Sequence, residues 1–122
     1  MSTELAPTFH DCQKTLVVFR EARDWRQFHT PRQLAAALAI EIGELQQAML
    51  SKTDAEVEAG LADGTLRAEV ANDIADILSF ALLLAHDLGL DPAEVMAAKL
   101  KKNEKRYPVE KSRGKATKYD KL

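Results

Sequence analysis

The sequence predicts an all-α protein built as a four-helix bundle, on three observations. Apolar residues recur at intervals of three and four through four segments, each opened or closed by residues that cap helices. No segment alternates apolar and polar residues as a strand would. The third observation is the stretch from Glu41 to Asp76, where EIGELQQAML and NDIADILSF carry two carboxylate pairs, Glu41/Glu44 and Asp73/Asp76. Residues three apart share a face on a helix, so each pair projects in one direction.

The first helix is expected from Thr8 to about Phe28, with Thr8 as its N-cap and Leu16, Phe19 and Arg23 at helical spacing. RDWRQFHTP closes it. Thr30 is a good N-cap and Pro31 suits a first helical turn, so the second helix runs from Pro31 to about Leu50. Leu34, Leu38 and Leu45 form its apolar stripe, and Glu41 and Glu44 lie close to that stripe. The insert from Ser51 to Gly64 holds two glycines and several small or acidic residues. It reads as a loop with room for a short helix around Ala55 to Leu61. Thr65 restarts the helix. The third helix continues to about Leu88 and ends at Gly89 in a left-handed cap; nearly all apolar after Asp76, it should be the buried central helix. Asp91 and Pro92 open the fourth, which stops before Pro108. This divides the chain into a helical domain, 1–106, and a basic tail, 107–122.

A chain of 122 residues, 46% hydrophobic and 30% charged, suits one globular domain and argues against disorder throughout. The single cysteine, Cys12, has no internal partner for a disulfide, and no secretory leader pattern opens the chain, so the cytoplasm is the expected compartment. LSFALLLAHDLGL, the longest apolar run, is interrupted by His86 and Asp87 and is too short to span a bilayer. The formal net charge of -2 conceals an asymmetry: ten of the 17 Lys and Arg lie between Lys99 and Leu122, against three of the 19 Asp and Glu. A basic tail favours nucleic acid, but the acidic body repels the same phosphates, so nucleic acid is not the expected partner.

Four carboxylates between apolar helices repel one another and need a cation among them. Oxygen ligands favour Mg²⁺ or Mn²⁺ over zinc, and Mg²⁺ commonly shares its shell with substrate phosphates. Asp73 and Asp76 stand among Ile74, Ile77 and Leu78, where an aspartate rarely enters unpaired. Lys99, Asn103 and Arg106 share a face of the fourth helix, with Tyr107 following. Their cations either hold phosphate oxygens or make an ordinary solvated face. Trp25, Phe28 and His29 cluster at the first corner, as core packing or as a stacking surface for a nucleobase. His10 and His86 read as structural. Glu-x-x-His pairs, phosphate-binding glycine loops and Gly-x-Ser-x-Gly are absent, and three histidines are too few for a His/Asp phosphohydrolase at His86-Asp87. The apolar row Leu78, Phe80, Leu82, Leu83 and Leu84 covers more than one face of its helix, which implies self-association.

RDWRQFHTPRQLAAALAIEIGELQQA, NDIADILSFALLLAHDLGLD and AAKLKKNEKRYPVEKSRGKATKY together resemble the MazG-like nucleotide pyrophosphohydrolases, and most closely the dCTP pyrophosphatase branch, over residues 16 to 119. The resemblance implies an all-α homodimer or homotetramer. It also implies Mg²⁺-dependent hydrolysis of a nucleoside triphosphate, dCTP or a modified dCTP, to the monophosphate and pyrophosphate. Its metal signature, Glu-x-x-Glu followed by Glu-x-x-Asp, falls on Glu41, Glu44, Asp73 and Asp76. Glu41 is the candidate general base, and Glu44 is counted with it as catalytic. Lys99, Asn103, Arg106 and Tyr107 match phosphate and sugar contacts, and Trp25 matches an aromatic of the base pocket, to which His29 and Phe80 are assigned as well. Three departures stand out. Asp73 replaces the third glutamate, with Glu69 one turn earlier able to compensate. Ser51 and Leu16 stand where the mammalian enzymes carry tryptophan and histidine. Phe80 stands in place of a tyrosine. The rival readings are a helical interaction module without activity, marked by Asp73, and a nucleic-acid binder using the tail.

Overall fold

The structure, a computed structural model, describes residues 5–122. It holds six α-helices: α1 Phe9–Ala22, α2 Pro31–Leu50, α3 Asp54–Asp63, α4 Arg67–Asp87, α5 Pro92–Arg106 and α6 Val109–Ser112. Short 3₁₀ turns occur at Arg26–Phe28 and Tyr119–Lys121, and there is no strand among the described residues. The chain is all-α, as expected, but four helices become six.

The helix boundaries follow local chemistry. Thr8 caps α1 by accepting from the Asp11 N–H, while the Asp11 carboxylate accepts from the Thr8 N–H at 2.9 Å. α1 stops at Ala22 and does not reach Phe28, because Asp24 adopts a left-handed φ of 53° and turns the chain into the 3₁₀ corner. α2 has the expected limits, with Thr30 accepting from the Gln33 N–H. The insert is more helical than its composition suggests. Thr53 and Glu56 form a reciprocal capping box that starts α3, and Gly64, at φ 86°, ends it. Thr65 does not start α4. Its N–H and hydroxyl both donate to Asp63 Oδ1, at 2.9 and 2.7 Å, and the helix begins two residues later. Gly89, at φ 68°, closes α4, and Asp91 caps α5 by accepting from the Glu94 N–H.

The backbone gathers into two compact units, the first ending at Gly89 and the second spanning Leu90–Leu122. In the first, α4 packs against α1, α2 and α3. Leu34 and Ala48 of α2, Leu66 at the head of α4, and Leu82 and Leu83 within it form the buried apolar core. Gly60 of α3 lets Leu66 approach, since a Cβ there would meet the Leu66 Cβ at 3.1 Å. α4 is central but not wholly covered: Ile74 and Leu78 remain exposed. Two polar side chains enter the α1–α4 interface with partners on α4. The buried Gln13 amide donates to the Leu82 carbonyl at 2.9 Å, and Arg20 and Asp87 pair.

In the second unit, Tyr119 anchors the tail on α5. Its ring stands edge-on to Tyr107, with centroids 6.0 Å apart, and lies 4.5 Å beneath the Arg106 guanidinium.

Candidate metal centre and adjoining cavity

α2 presents Glu41 and Glu44 and α4 presents Asp73, so that one carboxylate oxygen from each lies within 4.8 Å of the others. Asp73 is buried, Glu41 half-buried and Glu44 exposed, making the cluster a recess open at one side. Glu41 Oε2 and Asp73 Oδ2 are both shielded from solvent and lack any hydrogen-bond partner. Burial pushes the Glu41 carboxyl above the ordinary carboxylate range. The neighbouring Glu44, then Asp76 and Asp73, push it the same way.

Among the described residues no basic side chain forms an ion pair with these carboxylates. The ion pairs among the described residues centre on Arg20 and Asp87. Lys52 lines one depression of about 400 Å³ with Glu44, Glu69 and Asp73, but its ammonium donates to the Ala48 carbonyl at 3.0 Å. Converging carboxylates with two orphaned buried oxygens fit a hard divalent cation, which would satisfy the oxygens and offset the charge. Glu69 thus shares the depression with Asp73 but stands outside the three-residue cluster.

Asp76, one turn beyond Asp73, is also outside that cluster and faces the adjoining cavity of about 370 Å³. The cavity brings together Trp25, His29 and Phe80 with Leu16, Ser79 and Leu83. Its walls come from α1, which adds Phe19 and Arg20, and from the corner around the 3₁₀ turn on one side, and from α4 on the other. His29 stands edge-on to Phe80, with centroids 6.3 Å apart, and Trp25 edge-on to Phe19 at 5.6 Å. His29 Nδ1 is buried without a partner. Burial, then the Arg20 charge, lowers the His29 pKa below its ordinary value, while Asp87 acts weakly in the other direction. The ring is therefore neutral at pH 7, with one nitrogen able to accept a hydrogen bond. An apolar slot with a few polar groups at its edge suits a flat heterocycle. Phe28, the third aromatic of the corner, is exposed and does not line the cavity.

The remaining sequence-predicted residues lie in the second unit. Lys99 and Asn103 border one shallow depression with Val95, Met96 and Leu100, while Arg106 and Tyr107 are engaged with Tyr119.

Comparison with known proteins decides the family. The MazG-like family profile matches residues 36–122, a span holding all four carboxylates. The chain belongs to the MazG-like family. It is 37% identical over 116 residues to dCTP pyrophosphatase 1 of Rattus norvegicus and 34% identical to that of Homo sapiens, covering 95% of this chain and 68% of each relative. The solved structure of a pyrophosphatase from Archaeoglobus fulgidus matches with a TM-score of 0.75 at 29% identity, over 88% of this chain and 99% of that one.

Within this MazG-like chain, sequence reasoning missed Arg20 and Asp87. Arg20 is 1% exposed and donates through both terminal nitrogens to Asp87, at 2.8 and 2.7 Å. The pairing draws the Asp87 carboxyl below its ordinary range and raises the Arg20 guanidinium. A signal existed: Arg20 follows Leu16 by four residues on the apolar stripe of α1, and Asp87 ends an apolar helix.

Proposed function

We propose that the protein is a nucleoside triphosphate pyrophosphohydrolase that converts dCTP, or a modified dCTP, to the monophosphate and pyrophosphate. The observation that carries this reading is the adjacency of the Glu41, Glu44 and Asp73 cluster to the Trp25, His29 and Phe80 cavity, with Asp76 on the cavity wall. One face holds cations and phosphates, and the other holds a base. The names of the dCTP pyrophosphatase 1 relatives support the substrate class.

Glu41, Glu44 and Asp73 would hold the cation, with Asp76 completing the set, and Mg²⁺ is favoured over Mn²⁺. The chemistry a bound cation supplies is charge neutralisation on the triphosphate and polarisation of phosphorus. The base stacks in the cavity against Trp25 and Phe80, and the neutral His29 accepts from an exocyclic donor. Glu41, through an oxygen not engaged by the cation, takes the proton from the attacking water. The water oxygen bonds to phosphorus as the bridge between α and β phosphates breaks, and pyrophosphate leaves. Lys99, Asn103, Arg106 and Tyr107 contact phosphate and sugar, with the two cations offsetting charge on the leaving group. The exposed Ile74 and Leu78 support assembly as a homodimer or homotetramer.

The test is a panel of canonical and 5-modified nucleoside triphosphates with Mg²⁺ or Mn²⁺, reading monophosphate and pyrophosphate in equal amounts. Highest kcat/KM on a deoxycytidine triphosphate is expected. No turnover of any nucleotide with either metal would overturn the reading.

A further inference from the structure

We propose that the buried Arg20–Asp87 pair is a positioning device that holds the aromatic corner at its working distance from α4, and so sets affinity for the base of the substrate. The inference rests on the proposed reaction for its kinetic consequence, though its structural part stands alone.

Three contacts converge on one carboxylate. Asp87, near the end of α4, accepts both terminal nitrogens of Arg20 and lies 3.4 Å from Arg26 Nη1. The Arg20 carbonyl in turn accepts the backbone N–H of Arg23 and of Trp25, at 3.2 and 3.1 Å. The Arg26 carbonyl accepts the His29 N–H at 2.9 Å. The residues carrying Trp25 and His29 are thus tied through Arg20 and Arg26 to the helix that carries Phe80 and Asp76 on the facing wall. Arg20 lines the cavity but Asp87 does not, so a change at Asp87 reaches a bound base only through the residues that Asp87 holds.

The chemistry of the pair favours positioning over mere adhesion. Burying two charges costs much of what their attraction returns, and two apolar side chains would join α1 to α4 at least as well. A bidentate guanidinium–carboxylate contact differs in fixing angle as well as distance. The corner needs that constraint, because it contains a left-handed Asp24, a single 3₁₀ turn and half-exposed aromatics, and it has little apolar burial of its own.

Trp25 is the only tryptophan of the chain, so its emission reports on the corner without any substrate. In Asp87→Asn, of the same size but uncharged, acrylamide quenching of Trp25 should increase at unchanged helical circular dichroism. KM for the best nucleotide should rise about tenfold while kcat stays within about twofold, the signature of lost uniform binding. Should Asp87→Asn lose its helical signal, Arg26→Gln carries the test, because Arg26 is an exposed arm of the same contact and its loss should raise quenching and KM in the same direction. A folded variant with parental quenching and parental KM would overturn the proposal, as would a fall in kcat at constant KM. The quenching arm needs no turnover. A parent inactive on every nucleotide would therefore overturn the proposed reaction, while the response of Trp25 would still decide the anchoring.

Discussion

Glu41 on α2 and Asp73 on α4 face into one carboxylate cluster, and each keeps a buried oxygen without a hydrogen-bond partner. In a fold whose other buried charges are paired, this is a concentrated source of instability that a cation would remove. Adding Mg²⁺ or Mn²⁺ should therefore raise the melting temperature. Saturation at a hundred times Kd is worth about 2.7 kcal/mol. Asp73→Asn should melt higher than the parent in chelator, because repulsion is relieved, and should gain little from metal. Differential scanning calorimetry with and without metal checks both signs, and equal metal-induced shifts in parent and variant would remove Asp73 from the ligand set.

The Arg20–Asp87 pair predicts acid sensitivity. Asp87 has its pKa depressed in the fold, chiefly by hydrogen bonding to Arg20, so its contribution is present above the unfolded carboxylate value, about 3.9, and is lost as pH falls through the lower folded value. Removing one partner of a buried pair costs about 3–5 kcal/mol. Asp87→Asn should show most of that loss at pH 7, and the gap to the parent should narrow as pH drops below about 4. Urea denaturation across that pH range measures it, and a pH-independent gap would assign the cost to packing.

Gly64 predicts a purely local effect. Its φ of 86° belongs to the left-handed region, while a Cβ there would meet nothing within 4 Å. Gly64→Ala should thus cost about 1–2 kcal/mol of backbone strain with no steric consequence. Activity at 25 °C should be unchanged, and a loss of activity without a loss of stability would contradict this account.

Legibility of the fold followed the strength of local signals. Thr30-Pro31, Asp91-Pro92 and Gly89 punctuate the chain unambiguously, and α2 has the limits its sequence indicates. α1 ends at Ala22 and not near Phe28, because the aromatic residues of the corner continue a helical pattern that the left-handed Asp24 interrupts; aspartate enters that region more readily than most residues, but most aspartates do not, so Asp24 is a weak signal. The short helix the insert allows around Ala55 to Leu61 is longer in the fold, Asp54–Asp63: small and acidic residues dominate the insert, but Thr53 and Glu56 carry a capping-box spacing. In the site, the spacing predicts that Glu41/Glu44 and Asp73/Asp76 each share a helix face and form one site of four; Glu41, Glu44 and Asp73 converge while Asp76 lines the adjoining cavity, a split that spacing along one helix does not report. The Arg20–Asp87 contact joins residues 67 apart, and no local pattern reports a partner at that distance.

Glu69 and Asp73 lie one turn apart on α4 and line the same depression, yet Glu69 is outside the three-carboxylate cluster. An aspartate is one methylene shorter than a glutamate, so Asp73 reaches less far toward a cation, and Glu69 is placed to complete the shell directly or through a water. The two positions should then be coupled. Asp73→Glu should be tolerated and should make Glu69 dispensable. Glu69→Gln should weaken Mg²⁺ activation of the parent about 10- to 100-fold, the range for groups that support a metal ligand, and do much less in the Asp73→Glu background. Mg²⁺ titrations of the parent, both single variants and the double variant give the coupling as the failure of additivity. Equal losses in both backgrounds would return Glu69 to the status of an ordinary solvated residue on the helix face.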